Sequence, residues 1–575
     1  MRPAGRRAQP QPAAAGIHQQ PARLEAAGSL AKKTWLLALP YPVLSPLAAS
    51  FFRVLRGTAA VVVVGCAGPP TGEAPAPRWA SDSSAVRGPA GPQYARGAAW
   101  CFFYGQHYRA IWATPVTAPV LRLATAVPGG LVPLQAGGSY QSHTLRLRAP
   151  SGAQYNLRSV DKDGSAALPA GWRRWLLGGL LRDQTSAGQP FGAYVAARLA
   201  ETAGVYHTNP RLIYLADDAL LGPYRARFAN ALYLLEERPE GNQQGQACFG
   251  HSPLVLNSAH LLAALRRSPA AQIDARAYLR ARLLDMWLGD WSRREDQWRW
   301  ASFPRAGGRT SYRPIPRDRD QAFFMFDDGL LTQLVAWVVP KYHSFHAAIP
   351  LGSVNGLTIT ARALDRTLLA TLSADDFRQE ADSLRRRLTN AAVAAALTAG
   401  PPETRARLAA RLGPMLLARR AQLPAVAQRY HALLAAEAWL IGTDQPERFV
   451  LRAAGPGRLR VQVFASRPAA ADTLVADRTY DQHITQRLDL YGLGGNDRFE
   501  LQGPLPTAMP VHIYCGAGRD EISSPRNMAP GSVIWHLRAG SAPRVPPAGV
   551  LLVPDPHPEL TTDGTAWMKR YNLHD

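Results

Sequence analysis

Hydrophobic positions follow period two near both ends of the folded chain and three-to-four spacing between them. From Thr144, Leu145 and Leu147 alternate with Arg146 and Arg148. After a turn at 150–152 the alternation resumes through Tyr155, Leu157 and Ser159 to Asp161-Lys162-Asp163, which predicts a hairpin. Residues 211–215 and 231–235 read as strands, and 105–112 and 115–123 as short β or irregular segments. Residues 172–181 are apolar enough for a helix or a buried segment. Pro190 opens a clear one, with Phe191, Tyr194, Val195 and Leu199 as its apolar face. Helices are predicted over 258–267, 273–288, 361–372, 375–388, 390–397 and 402–412. Gly413 stops the last, and Pro414 starts another that runs to 441 with a kink at Pro424. Beyond Pro446 the period returns to two, with strands at 449–452 and 459–464. The pattern predicts an α+β chain: a β-rich lobe over 99–240, a helical lobe over 241–443, a β-rich domain over 444–540 and a tail over 541–575.

At 575 residues the chain has room for several domains. A formal net charge of +23 points to an anionic partner such as lipopolysaccharide, phospholipid or nucleic acid. The lysines are Lys32, Lys33, Lys162, Lys341 and Lys569; every other basic residue is Arg, and with so much Ala, Pro and Gly this also reads as coding bias. No RNA- or DNA-binding motif accompanies the charge, which weighs against nucleic acid. The four cysteines have no CxxC spacing, which weighs against a zinc site, and their small number excludes a disulfide scaffold. Residues 1–50 read as disordered. Arg53 and Arg56 then precede an apolar run ending in Val63-Val64-Gly65-Cys66, too short to cross a bilayer. It resembles a bacterial lipoprotein signal with Cys66 as the lipidated residue; the alternative is a buried strand. Residues 67–98, rich in Pro, Gly, Ala and Ser, read as a linker after the anchor.

The densest chemistry lies at 281–323. A helix carrying Asp285, which reads as a helix-surface carboxylate, leads into Gly289-Asp290-Trp291. Arg293, Arg294, Glu295, Asp296 and Gln297 follow among Trp291, Trp298 and Trp300. A short strand, Tyr312 to Ile315, then ends in Arg317-Asp318-Arg319-Asp320. Two acidic turns joined by a hairpin-like return form a cage for a metal and a phosphate, and carboxylate and amide oxygens suit magnesium. A salt-bridged surface loop pinned by tryptophan explains the same spacing.

Ser292-Arg293-Arg294-Glu295-Asp296-Gln297 resembles the catalytic loop of atypical kinases (phosphoinositide, HipA-like and secretory-pathway kinases), and Asp318-Arg319-Asp320-Gln321-Ala322-Phe323 resembles their metal-binding motif. The stretch is more similar to kinase-like regions of Bacteroidetes envelope proteins that precede an outer-membrane β-barrel. The resemblance implies a two-lobed atypical-kinase-like domain with a helical large lobe, ATP and magnesium as cofactors, and a cell-envelope location with a barrel or anionic lipid as partner. It places Gln297, Asp318 and Asp320 on the metal, Lys162 on phosphates, and Glu201 or Asp183 beside that lysine. Glu236 and Glu237 fall at the link between lobes, where they would hold a ribose hydroxyl or cap a surface. Ser292 stands where the catalytic Asp is expected and Arg294 where the His is expected, so Asp290 or Asp296 would have to serve as base. The expected function is therefore either an ATP-dependent phosphotransferase with a degraded loop or a non-catalytic envelope binding module.

In the last domain, 492–499 and 515–522 each miss a calcium-binding GGxGxDxUx repeat by one glycine, at Leu493 and Cys515. They lie 23 residues apart, which is not a multiple of nine. A plain turn at Asp497 and at Asp520 is preferred over a calcium site.

Overall fold

The structure is a computed structural model describing residues 80–555, apart from 82–83, 138–142, 164–175, 340–341, 343, 468–469, 539–542, 544 and 546. The segment ending at Cys66 and most of the glycine turn at 137–140 lie outside the described residues. The fold is α+β, with a β-rich C-terminal region.

One sheet makes the first lobe. Its strands are β1 (Ala80–Ser81), β2 (Ala85–Pro89), β3 (Pro115–Leu121), β4 (Val132–Gly137), β5 (Thr144–Arg148), β6 (Gln154–Ser159), β7 (Arg211–Leu215) and β8 (Ala231–Glu237), in the order β1-β2-β3-β7-β8-β6-β5-β4. Alternation gives it two faces. Leu145, Leu147, Leu157, Tyr233 and Leu235 close a core with Leu215, Leu221 and Phe228, and full burial of each large apolar side chain stabilises by about 1.5–3 kcal/mol. Arg146, Asn156 and Glu236 lie side by side on the other face. The sheet starts earlier than expected: Ala85 pairs with Pro119, and Val86 is buried, so 85–89 belong to it rather than to a linker. Residues 105–112 are not β. Helix α1 (Ala98–Tyr104) stops at Gly105, whose φ of +93° suits glycine, and a helical turn at Arg109–Trp112 buries Tyr108, Ile111 and Trp112.

Helices α2 (Leu176–Asp183) and α3 (Gly192–Ala203) follow the hairpin. The second lobe contains α4 (Ser258–Arg267), α5 (Ala275–Leu288), α6 (Leu330–Val338), α7 (Ala374–Arg387), α8 (Asn390–Leu397) and α9 (Pro402–Ala436). Asn257 and Asp274 cap α4 and α5 by accepting the His260 and Ala277 N–H groups, and Gly289 ends α5 at φ +70°. Helix α5 begins later than expected because Ile273 closes a strand. That strand belongs to a small sheet of β9 (Leu254–Asn257), β10 (Ala271–Ile273), β11 (Trp298–Arg305) and β12 (Arg309–Pro316), in the order β10-β12-β11-β9. Helix α9 runs 35 residues through Gly413, Pro414 and Pro424 without the expected stop. Each proline removes one helical hydrogen bond. Burial of Leu408, Leu412, Leu416, Leu423, Val426, Tyr430 and Leu434 outweighs that loss. Among the described residues no helix is long and apolar enough to cross a membrane.

The last region is a coil between two sheets. Strands β13 (Glu437–Ile441), β17 (Arg487–Tyr491), β19 (Val511–Tyr514), β21 (Val533–Leu537) and β22 (Val550–Pro554) stack in parallel. Strands β14 (Glu447–Ala453), β18 (Arg498–Gln502) and β20 (Glu521–Ser523) stack opposite them, extended by the antiparallel hairpin of β15 (Arg458–Arg467) and β16 (Ala470–Asp481). Leu488, Val511 and Val533 point inward as one ladder, and Leu490, Ile513 and Trp535 as another. Because β22 pairs with β21, the sheet extends past residue 540 into the stretch read as a tail. The two glycine turns are successive corners of this coil. Asp497 Oδ1 accepts the Glu447 N–H at 2.9 Å, and Asp520 Oδ1 accepts the Asp497 N–H at 3.0 Å.

Candidate functional site

The loop after β12 brings Asp318 and Asp320 against the polar face of the first lobe. The Arg158 guanidinium, on β6 and almost fully buried, donates to both carboxylates. Lys162 Nζ lies 2.6 Å from Asp320 Oδ2. The lysine is set by its neighbours: Asp161 accepts from Tyr94 and Arg182, each at 2.5 Å, and the Lys162 carbonyl accepts from Thr185 at 3.0 Å. Asp318 takes a left-handed φ of +56°, a strained conformation for a residue other than Gly.

The electrostatics split the two acids. Burial pushes the Asp320 carboxyl up, but Arg158 and Lys162 pull it further down, to well below the usual range. Burial and the Asp320 charge hold Asp318 up against the pull of Arg158. Burial pushes Glu236, on β8, up to about 7 despite Arg158; its carboxylate accepts from Thr208 at 3.3 Å.

Sequence-expected residues divide into those at this place and those elsewhere. Lys162, Glu236, Asp318 and Asp320 come together. Glu201 does not reach Lys162: it is exposed on the last turn of α3, pairs with Arg198 at 2.7 Å, and lines a separate cavity of about 820 Å³ with His207 and Arg280. Asp183 is buried in a different pair, accepting from Arg109 at 2.8 and 2.7 Å and from Trp100 at 2.9 Å. Glu237 accepts the Asn209 N–H at 2.8 Å, which ties β8 to the start of β7. Asp296 is exposed and pairs with Arg294 at 3.0 Å.

Asp290 is fully buried against Arg293, and burial with the nearby Asp285 charge raises its pKa to about 6. It is closed off from any ligand. Asp285, expected on a helix surface, is also fully buried, facing Arg319 at 2.7 Å and Arg282 and Arg293 at 3.2 Å each. This network fixes the loop: Arg293 Nη1 donates to the Arg317 carbonyl at 2.5 Å. Gln297 Nε2 lies 3.3 Å from Ser292 Oγ, and its Oε1 is buried with no hydrogen-bond partner.

The residue that sequence reasoning missed is Arg158. An arginine in an alternating strand reads as solvent-facing. Its signal was position, four residues before Lys162 and on the same face as Arg146 and Asn156.

No protein-family profile and no curated protein matches this chain. Among solved structures it is similar to a Helicobacter pylori proinflammatory kinase, CtkA, at 13% identity, over 53% of this chain and 96% of that one, with a TM-score of 0.26. A likeness of that size carries no argument about this chain, and the reading of the site rests on its own geometry.

Proposed function

We propose that this chain is a kinase-shaped binding module of the cell envelope that does not transfer phosphate. The observation that carries the reading is the bridge from Arg158 and Lys162 to Asp318 and Asp320. A divalent cation would have to compete with the Arg158 guanidinium for both carboxylates and with the Lys162 ammonium for Asp320. Among the described residues no group of three or more His, Cys, Asp or Glu is gathered as a metal site. What speaks against a resident magnesium ion is the pairing of Asp318 and Asp320 with Arg158 and Lys162. Of the two carboxylates expected as base, Asp290 is sealed in an ion pair and Asp296 is paired with Arg294 at the surface, while Ser292 cannot accept a proton as a carboxylate does. The lipoprotein-like segment ending at Cys66 and the charge of +23 support a place on the envelope, against lipid headgroups or an outer-membrane barrel.

One observation favours the second reading, an active phosphotransferase. Gln297 Oε1 is a buried acceptor without a partner, as a metal ligand awaiting its ion would be. Incubation with γ-labelled ATP and magnesium or manganese separates the two. The proposal expects labelling and ATP hydrolysis no higher than in Asp318→Ala. Turnover that the wild-type chain shows and Asp318→Ala loses would overturn it.

A further inference from the structure

We infer that the cleft beside this bridge binds an anion carrying closely spaced phosphate groups, gripped by Arg146, Arg238, Arg299 and Arg317; this names the ligand class for the binding role proposed above and rests on that reading.

The four arginines come from two sheets that are joined where Gly241 bridges to Val255 on β9 and where Arg158 meets Asp318. Arg299 pairs across the β11–β12 hairpin with Ile315, and two pairs further on the Arg317 N–H donates to the Gln297 carbonyl at 2.9 Å, so Arg299 and Arg317 are diagonal neighbours on one face. On the facing sheet, Arg146 lies opposite Asn156, which lies opposite Glu236. Arg238 follows two residues on, its N–H donating to the Gln154 carbonyl at 2.8 Å.

Their charges are poorly answered within the chain. Among the described residues Arg317 has no carboxylate within ion-pairing distance. Arg299 donates only to the backbone carbonyls of Asp296 and Trp298, at 3.2 and 2.8 Å. Arg146 donates to Gln135, a neutral amide, at 2.9 Å. Arg238 is 5% exposed; it meets Glu240 at the rim, and its Nε is buried with no partner. The other acids near the cluster are Asp296, taken by Arg294, and Glu236 and Asp318, which face Arg158. Burial, then Arg299, Arg238 and Arg158, push Arg317 down to about 9. The chain thus keeps mutually repelling guanidiniums partly desolvated, and an anion between them removes that repulsion.

The donors select the ligand. Planar guanidinium forks match phosphate oxygens two at a time. Forks from two lobes suit a ligand with more than one phosphate. A nucleoside base needs an apolar slot, and the sheet wall offers Arg146, Asn156, Glu236 and Arg238 instead. The same chemistry is carried by a soluble oligophosphate and by a lipid headgroup bearing phosphomonoesters.

The test is calorimetric titration and thermal unfolding of the full chain with sodium tripolyphosphate in EDTA. Metal-free binding is expected, weakening as salt rises from 50 to 300 mM. Arg317→Gln should raise the melting temperature of the free protein, because it removes a repelled charge, and should weaken tripolyphosphate at least tenfold. Arg305→Gln, at the exposed hairpin tip, should change neither. A merely structural Arg317 would instead lower the melting temperature when replaced. Absence of a tripolyphosphate shift in EDTA, or unchanged affinity in Arg317→Gln, overturns the inference. In a second arm, vesicles of phosphatidic acid are compared with vesicles of phosphatidylglycerol. Capture by the first alone, competed by tripolyphosphate, assigns a lipid source; tripolyphosphate binding without capture assigns a soluble one. Phosphoryl transfer in the labelled-ATP assay would remove the non-catalytic reading yet leave metal-free, Arg317-dependent binding standing, so the two failures are distinct.

Discussion

Replacing Asp497 by Asn should make the C-terminal coil more stable at pH 8 and less sensitive to pH. Asp497 is 1% exposed at a corner of the coil, between Glu447 and Asp520. Burial, then the Asp520 charge, raises its pKa from 3.8 to about 9. A raised carboxyl pKa gives stability that is complete below the unfolded value and lost as pH climbs toward the folded one. Between pH 5 and pH 8 the unfolded chain has released this proton and the folded chain still holds it. Each pH unit therefore costs about 1.4 kcal/mol, or about 4 kcal/mol across the range. Glu447, raised to about 7 mainly by burial, works in the same direction. The asparagine keeps an oxygen for the Glu447 N–H and cannot ionise. The assay is equilibrium urea unfolding at pH 5, 6, 7 and 8, read by a deuterium pulse at one fixed pH on peptides from 443–523. The wild-type midpoint should fall steadily with pH, and the variant should lose about one proton's worth of that slope. A flat wild-type profile, or a variant as steep as wild type, would refute the reasoning.

Three further outcomes follow from packing. Gly516→Ala would drive a Cβ onto the Leu493 carbonyl of the preceding coil; a loss above about 3 kcal/mol in urea midpoint is expected. Pro414→Ala restores an N–H to the Ala410 carbonyl inside α9 and should stabilise by roughly 1–3 kcal/mol in thermal melts, with no change in helix length. Asp183→Ala strands the buried Arg109 cation at a cost of about 3–5 kcal/mol, and the double replacement Asp183→Leu with Arg109→Met should recover most of it by calorimetry.

Local periodicity made the β5–β6 hairpin, β7, α4 and α8 readable from the chain, because each buries one face at a regular interval. Features set by distant partners were not. Asp285 reads as a surface carboxylate because the residues that enclose it, Arg293 and Arg319, belong to later loops. Pro414 and Pro424 are genuine local stop signals, overruled by a buried stripe that only the assembled lobe supplies. The 23-residue spacing of Asp497 and Asp520 fails a nine-residue rule, yet it is one full circuit of a two-sheet coil. At the site, the carboxylates stood out by type and order. Their occupation by Arg158 did not, since it depends on which strand faces the loop.

Helix α9 links the first sheet, the helical lobe and the C-terminal coil. Near its first turn, Glu403 accepts from the Thr117 N–H and hydroxyl at 3.0 and 2.8 Å; further along, Arg411 donates to the His107 carbonyl at 2.5 Å. Arg419 holds the Met286 and Trp287 carbonyls at 2.7 Å, just before the loop that carries Asp290. Its end passes from Ala436 straight into β13, with no linker. Thirty-five helical residues make a beam about 52 Å long. A tilt of about 5° about Arg419, its midpoint, moves each end by roughly 2 Å in opposite directions. The first sheet and the coil thus sit at opposite ends of a beam held at its middle beside the floor of the cleft, so a shift at one end is delivered, with its direction reversed, to the other.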